Sequence, residues 1–201
     1  EARGVDAIFA PTAATMYPDG AVTEVQVPAL ARHLCGRDRP IHFAGVCTVV
    51  SKLFHIIPAH KAFFGAKDYQ QSAIIRKMVA DLDFDIEIVV CPTLREADGL
   101  AMSSRNVYLS DAHRQQAPAL HASLQLASEM IHAGECDPAA VLDAMRAYLV
   151  THAPDGEVDY LSLVDPDTLE AVSTCVGPVQ VALAVRFGGT RLIDNMRVDA
   201  R

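Results

Sequence analysis

The chain contains no Cys-x-x-Cys pair, no surplus of positive charge, no unbroken apolar run of bilayer length and no internal repeat. Each absence removes a class of protein. The 5 cysteines, Cys35, Cys47, Cys91, Cys136 and Cys175, are odd in number and scattered. That argues against a disulfide framework or a zinc site and for a reducing cytoplasm. The 8 histidines are scattered too. His55 and His60 stand at the wrong spacing for one helical face, so neither reads as a metal ligand. A net charge of -8 disfavours nucleic acid and anionic membranes as primary partners, and any anionic ligand must meet a local cluster of cations. The longest apolar tract, residues 45–64, is broken by Lys52, His55, Pro58, His60 and Lys61, so it does not read as a membrane span, and no signal-peptide pattern is present.

What is there has globular composition. The 201 residues are 51% hydrophobic and 21% charged, enough for a core of one large domain or one and a half. The chain opens on Glu1-Ala2-Arg3-Gly4 and runs straight into apolar residues 5–9. This reads as the middle of a fold, with 5–9 expected as a buried strand ended by Pro11. Tyr17-Pro18-Asp19-Gly20 is turn chemistry. Val46, Val49, Val50, Leu53, Phe54 and Ile57 fall at helical spacing, and Pro58 stops that helix. Residues 62–64 form a short strand candidate and 68–82 a helix with Ile74, Ile75, Met78, Val79 and Leu82 on one side. Residues 86–90, β-branched apart from Glu87, are read as a strand covered on both faces. Strand and helix alternate, which argues for a parallel sheet.

The second half reads differently. Ser110 or Asp111 is expected to cap one helix running to about residue 133 and closed by Gly134. Asp137-Pro138 opens another, with Val141, Leu142, Met145 and Leu149 buried. Strand-like runs at 158–164, 179–185 and 191–194 follow, and the short connection between the last two favours a small antiparallel sheet. The boundary is expected within 94–107, dividing residues 1–98 from 99–201.

Two segments carry chemistry. Phe63-Phe64-Gly65-Ala66-Lys67-Asp68-Tyr69-Gln70-Gln71 reads as strand, tight turn and helix start, which in a parallel sheet is the edge where ligands bind. Asp68 with Gln71 three residues on also fits a capping box, a purely structural role. Lys67 is less well explained that way, because a cation before a helix N-terminus faces the positive end of the macrodipole. A phosphate there would turn repulsion into a shared anion site. The second segment is Asp98-Gly99-Leu100-Ala101-Met102-Ser103-Ser104-Arg105-Asn106. Its hydroxyls and arginine form an oxyanion-binding set, though Ser, Asn and Gly equally suit a linker. It resembles the Met-Ser-Lys-Ser loop of nucleotidylyltransferases and class I aminoacyl-tRNA synthetases.

Together, in this order, the two segments resemble the pantothenate synthetase (pantoate–β-alanine ligase) family. Residues 64–71 meet its F-G-x-K-D-x-Q-Q pattern and residues 92–109 its P-T-x-R-E-x-D-G-L-A-M-S-S-R-N-x-Y-L pattern. Met16-Tyr17-Pro18-Asp19-Gly20, residues 39–46 and Thr190-Arg191-Leu192-Ile193-Asp194-Asn195 add support, so the likeness covers essentially the whole chain. It implies an α/β fold: an incomplete Rossmann-like parallel sheet of nucleotidylyltransferase type, then a smaller α+β C-terminal lid domain with an antiparallel sheet. The implied reaction condenses pantoate with β-alanine at the expense of ATP, through a pantoyl adenylate.

Carried over by position, Gly65, Ala66, Lys67 and Asp68 match the ATP-binding run and Gln71 a pantoate-binding glutamine. Leu94 matches the adenine contact, and Met102, Ser103, Ser104 and Arg105 match the phosphate loop. Magnesium would arrive on ATP, with no dedicated protein cage, and a homodimer is implied, with the helix over 46–57 a candidate interface element. The family's His-x-Gly-His motif, with its catalytic histidine, is not in these residues; neither is a shared substrate glutamine after it. No catalytic residue is therefore assigned here, not even His42, and the chain by itself is expected to be inactive. Ala66 stands where the family usually has Glu, and Cys91 replaces a small apolar residue. Two further readings remain, another adenylyltransferase or a non-catalytic nucleotide-binding module.

Overall fold

The computed structural model describes residues 4–200. The sequence expectation for the opening Glu1-Ala2-Arg3 lies outside the described residues. Residues 5–9 do not form the expected strand; they are irregular and exposed. A largely apolar segment becomes a strand only when a neighbour pairs with its backbone hydrogen-bonding groups, and no strand pairs with this one among the described residues.

Three four-residue helices follow, α1 (Ala13–Met16), α2 (Pro28–Ala31) and α3 (Cys35–Asp38). Between α1 and α2, the Tyr17–Gly20 turn forms as expected, with Gly20 at φ 83°. The first long helix, α4, spans His42–Ile56 and ends just before Pro58. It buries Phe43, Cys47, Val50 and Ser51 against the next helix.

Strand β1 (Lys61–Gly65), a 3-10 turn (Ala66–Asp68), helix α5 (Tyr69–Asp81) and strand β2 (Glu87–Cys91) make a unit of the βαβ kind. β1 and β2 are parallel, with Gly65 opposite Cys91. Helix α5 buries Ile74, Ile75 and Met78. Leu82 instead follows the helix end and is 52% exposed. Nor is β2 covered on both faces as its composition suggested. Its residues are only partly buried, because the described parallel sheet has β1 and β2 alone.

The rest of the chain holds α6 (Asp111–Gln116), α7 (Ala119–His132) and α8 (Pro138–His152), then β3 (Gly156–Val164), β4 (Pro178–Phe187) and β5 (Thr190–Asp199). The single helix expected over 111–133 is two. Pro118 supplies no N–H and so interrupts the ladder between α6 and α7. The expected caps do appear: the Ser110 hydroxyl accepts from the backbone N–H of His113, and Gly134 takes φ 99°. The three strands form an antiparallel sheet in the order β3-β4-β5.

β4 is buried almost throughout, because both faces of this sheet are covered. Leu163, Val181, Leu183 and Val185 pack with Leu124, Ile131, Met145 and Leu149 of α7 and α8. On the opposite face, Val164 and Ala182 join Phe43, Cys47, Ile74 and Ile75 of α4 and α5. The C-terminal sheet therefore lies against the end of the βαβ unit, and β5 reaches the turn after β1.

Candidate functional site

The turn after β1 leaves the strand pair at its carboxyl end. Gly65 has ordinary extended dihedrals, φ -79° and ψ 135°. A Cβ built there meets nothing within 4 Å. Neither strain nor packing demands glycine, so the open space before it is what a side chain would fill. Asp68 stands at the N-cap of α5 yet makes no side-chain cap bond, so the capping box with Gln71 does not form. The intervening 3-10 turn carries Asp68 to φ -94°, ψ 61°, and the residue stays exposed.

Lys67 bends towards the second segment, its Nζ donating to the Met102 carbonyl at 3.3 Å. Burial lowers the pKa of this ammonium, while Asp68 and Asp194 act in the opposite direction. The second segment is a tight loop. Met102 N donates to the Leu94 carbonyl at 2.9 Å and Glu96 N to the Leu100 carbonyl at 2.8 Å. Ser103 then caps a 3-10 helix (Ser104–Tyr108), its Oγ accepting from Arg105 N at 3.2 Å. The capping bond uses an acceptor lone pair only, so the Ser103 hydroxyl proton remains available.

Lys67, Asp68, Gln71 and Arg105 line one cleft of about 250 Å³. Ala66 lies in an adjoining groove with Thr93 and Arg95. Gly65, Leu94, Met102, Ser103 and Ser104 do not line the cleft itself; Met102 is joined to it by the Lys67 bond, and Leu94 is 73% exposed. Arg39, His42, Gln70, Arg191 and Asn195 also line it, although sequence reasoning gave none of them a binding role. A signal existed: Arg39, His42, Arg191 and Asn195 all sit in segments quoted above as family-like, without a function attached.

Their environments differ. Gln70 is a latch, buried at 5% exposure. Its amide donates to the Leu30 and His33 carbonyls at 3.0 and 2.6 Å and accepts from Cys35 N at 3.0 Å. It holds α2 and α3 over the cleft. His42 has its pKa lowered by burial and then by Arg39, which favours the neutral imidazole at pH 7. Arg191 is anchored to Asp159 at 2.6 Å, and Asp159 also takes Arg186 at 2.7 Å. Arg95 grips Asp194 with both Nη atoms at 2.6 and 3.1 Å, a bidentate pair with Asp194 at 2% side-chain exposure. The cleft thus gathers Arg39, Lys67, Arg105 and Arg191 in a chain of net charge -8. Such clustering holds polyanionic phosphate through charge-assisted hydrogen bonds. Among the described residues, no group of three His, Cys, Asp or Glu side chains is placed to hold a metal ion.

A cleft lined by four cationic side chains at the carboxyl end of a parallel strand pair, closed by an antiparallel sheet, defines an α/β protein of the kind whose ligands bind at that edge. Residues 1–197 match the model of the family described as pantoate-beta-alanine ligase, and the chain belongs to that family. It is 55% identical over 195 residues to a pantothenate synthetase of Solidesulfovibrio magneticus, covering 97% of this chain and 68% of the relative. Identity to the pantothenate synthetase of Acetivibrio thermocellus is 50% over 202 residues, covering 99% and 70%. The crystal structure of a Thermus thermophilus pantothenate synthetase superposes with a TM-score of 0.91 at 45% identity, over 96% of this chain and 70% of that one. A Francisella tularensis pantoate-beta-alanine ligase, solved in complex with beta-gamma ATP and beta-alanine, matches with a TM-score of 0.69 at 28% identity, over 91% and 61%.

Proposed function

We propose that this chain serves the ATP-dependent joining of pantoate to β-alanine, giving pantothenate, AMP and pyrophosphate through a pantoyl adenylate. The observation that carries this reading is the convergence of Lys67, Asp68, Gln71 and Arg105 on one cleft, from two segments far apart in sequence. Family membership supplies the substrates.

The chemistry makes two demands. In the first step a pantoate carboxylate oxygen attacks the α-phosphorus of ATP, and pyrophosphate departs with its electron pair. Negative charge accumulates on phosphate oxygens, and Lys67 with Arg105 are placed to neutralise it. The hydroxyl protons of Ser103 and Ser104 serve as donors to non-bridging oxygens, and the Met102 backbone shapes that loop. In this reading Gly65 and Asp68 lie beside the ribose, Ala66 belongs to the same ATP-binding run, and the Leu94 backbone meets the adenine. Gln71 holds pantoate. In the second step the β-alanine amine attacks the acyl carbon and AMP leaves. The mixed anhydride must be shielded from water meanwhile, a task we give to residues 99–201 as a lid over the nucleotide domain of residues 1–98. The bonds from Lys67 to Met102 and from Arg95 to Asp194 support that division of labour.

Mg²⁺ in this reading arrives on ATP and supplies charge neutralisation of the phosphates. No histidine here stands in a His-x-Gly-His motif, so residues 1–201 alone are proposed to hold phosphate without turning over. A homodimer and a cytoplasmic setting belong to the same proposal. Exposed Ile56 and Ile57 at the end of α4 suit the first. For the second, no helix among the described residues is long and apolar enough to cross a membrane.

The test is AMP release by the whole product of the gene, omitting one substrate at a time. Release that requires ATP and pantoate, and is accelerated by β-alanine with formation of pantothenate, is the expected result. Release that ignores both pantoate and β-alanine overturns the substrate assignment. Steady turnover by residues 1–201 alone overturns the inactivity of that segment.

A further inference from the structure

Strand β5 touches the turn that carries Lys67 through one side chain. Asn195 Nδ2 donates to the Ala66 carbonyl at 3.0 Å and to the Lys67 carbonyl at 2.8 Å. Its Oδ1 accepts from Gln180 Nε2 at 2.9 Å. An asparagine amide has two N–H donors and one carbonyl acceptor, so the carbonyl is held from β4 and both N–H groups face the turn. The orientation is thereby fixed: a flipped amide would set its oxygen against two carbonyls and its N–H groups against a donor. The two turn carbonyls set this orientation, and the Gln180 amide, 1% exposed, completes it by donating to Oδ1.

The neighbouring residue extends the link. Asn195 N donates to Asp194 Oδ1 at 2.8 Å, and Asp194 holds Arg95. Arg95 donates in turn to the Gly99 carbonyl at 3.1 Å, inside the loop that ends at Met102. Two consecutive residues of β5 therefore fix both segments of the cleft, one by an amide and one by an ion pair. Between them runs the bond from Lys67 Nζ to the Met102 carbonyl.

We infer that Asn195 is a positioning residue for nucleotide binding: it clamps the backbone at Ala66 and Lys67 so that the Lys67 ammonium is aimed at phosphate. This rests on the reading of the cleft as an ATP site. Ala or Leu at 195 would leave two carbonyls without their donor, and Asp would oppose them with negative charge. The turn would keep its 3-10 form, since its local hydrogen bonds are unchanged, but the Lys67 stem would lose its fixed origin. Supporting groups of this kind commonly decide whether a binding side chain is held to within a fraction of an ångström.

A double-mutant cycle on ATP affinity tests it, using the whole gene product with Mg²⁺-ATP and no other substrate. Asn195→Ala is expected to weaken ATP about tenfold in the otherwise native protein, and less than about twofold in the Lys67→Ala background, because groups acting through one another are not additive. Equal losses in both backgrounds, or no loss, overturn the inference, since a general loosening of the fold would act regardless of residue 67. If Asn195→Ala does not fold, Gln180→Met gives the same cycle. It removes only the bond that completes the orientation of the amide, and a smaller loss, seen only where Lys67 is present, is expected. Absence of ATP binding by the native protein would instead sink the ATP reading itself, and so separates the two failures.

Discussion

Asp159 accepts from Arg191 and Arg186 at once, with its side chain only 13% exposed. Burial pushes its pKa up, but the two guanidinium groups outweigh that and hold the carboxyl below its ordinary value. A group depressed in the folded state contributes stability above its unfolded pKa, about 3.9 for Asp. That contribution is lost as pH falls through the folded value. Asp159→Asn should therefore lower the melting temperature by a constant amount above about pH 5, with the gap to the native protein closing at lower pH. Melting curves from about pH 3 to 8 check this, and a gap that widened on acidification would contradict it. The same scale shows what the sequence revealed. Lys67, Asp68, Gln71 and Arg105 were legible because each lies in a short contiguous motif. Gln70, Arg95, Asp194 and Asn195 act through contacts between segments far apart along the chain, such as Asn195 to Lys67 at a separation of 128 residues. No local pattern encodes such a pairing. Gln70 was overlooked for a further reason: it adjoins Gln71, and only burial distinguishes the latch from the residue facing the cleft.

Between residue and molecule, glycines discriminate elements that touch from those that stand free. At Gly36 in α3, an added Cβ would lie 1.6 Å from the Ala31 carbonyl oxygen at the end of α2. Backbone must move, and with it the roof that Gln70 holds over the cleft. Gly36→Ala is expected to cost about 3 kcal/mol, a fall in melting temperature of roughly 6–12 °C for a chain of this size. At Gly45 in α4 a Cβ meets nothing within 4 Å. Gly45→Ala should therefore stabilise, by about 0.5–1 kcal/mol, through helix propensity. Opposite signs in calorimetry support this account of both sites; two losses of equal size would refute it. Elements with strong periodicity, α4, α5 and α8, and the three C-terminal strands were readable from sequence. The residues at 5–9 were not, since strand formation needs a partner that composition cannot supply. The break at Pro118 is local, since proline supplies no N–H inside a helix, but the cap at Ser110 and the closing Gly134 mark only the outer ends of the pair.

Across the molecule, two cores meet on one strand. β4 presents Val181, Leu183 and Val185 to α7 and α8, and Ala182 to α4 and α5. Its alternation explains why 181–185 reads as continuous apolar sequence: side chains on successive residues enter different cores. The sequence pointed to a sheet here but not to its second covering layer, which depends on where the βαβ unit docks. Sharing a strand has an energetic consequence. The α4–α5 core loses part of its wall if β4 leaves, so the two cores should open together and not one at a time. Leu183 is fully buried, and Leu183→Ala is expected to destabilise by about 3 kcal/mol. If the cores are coupled, amide hydrogen exchange at Ile74 and Ile75 in α5 should accelerate as much as at Leu124 in α7, although Leu183 belongs to the α7 cluster alone. Exchange would then report one cooperative unit. Acceleration confined to α7, α8 and the C-terminal sheet would show instead that the helices around the cleft hold without β4, and that the docking of β5 on the Lys67 turn is separable from global folding.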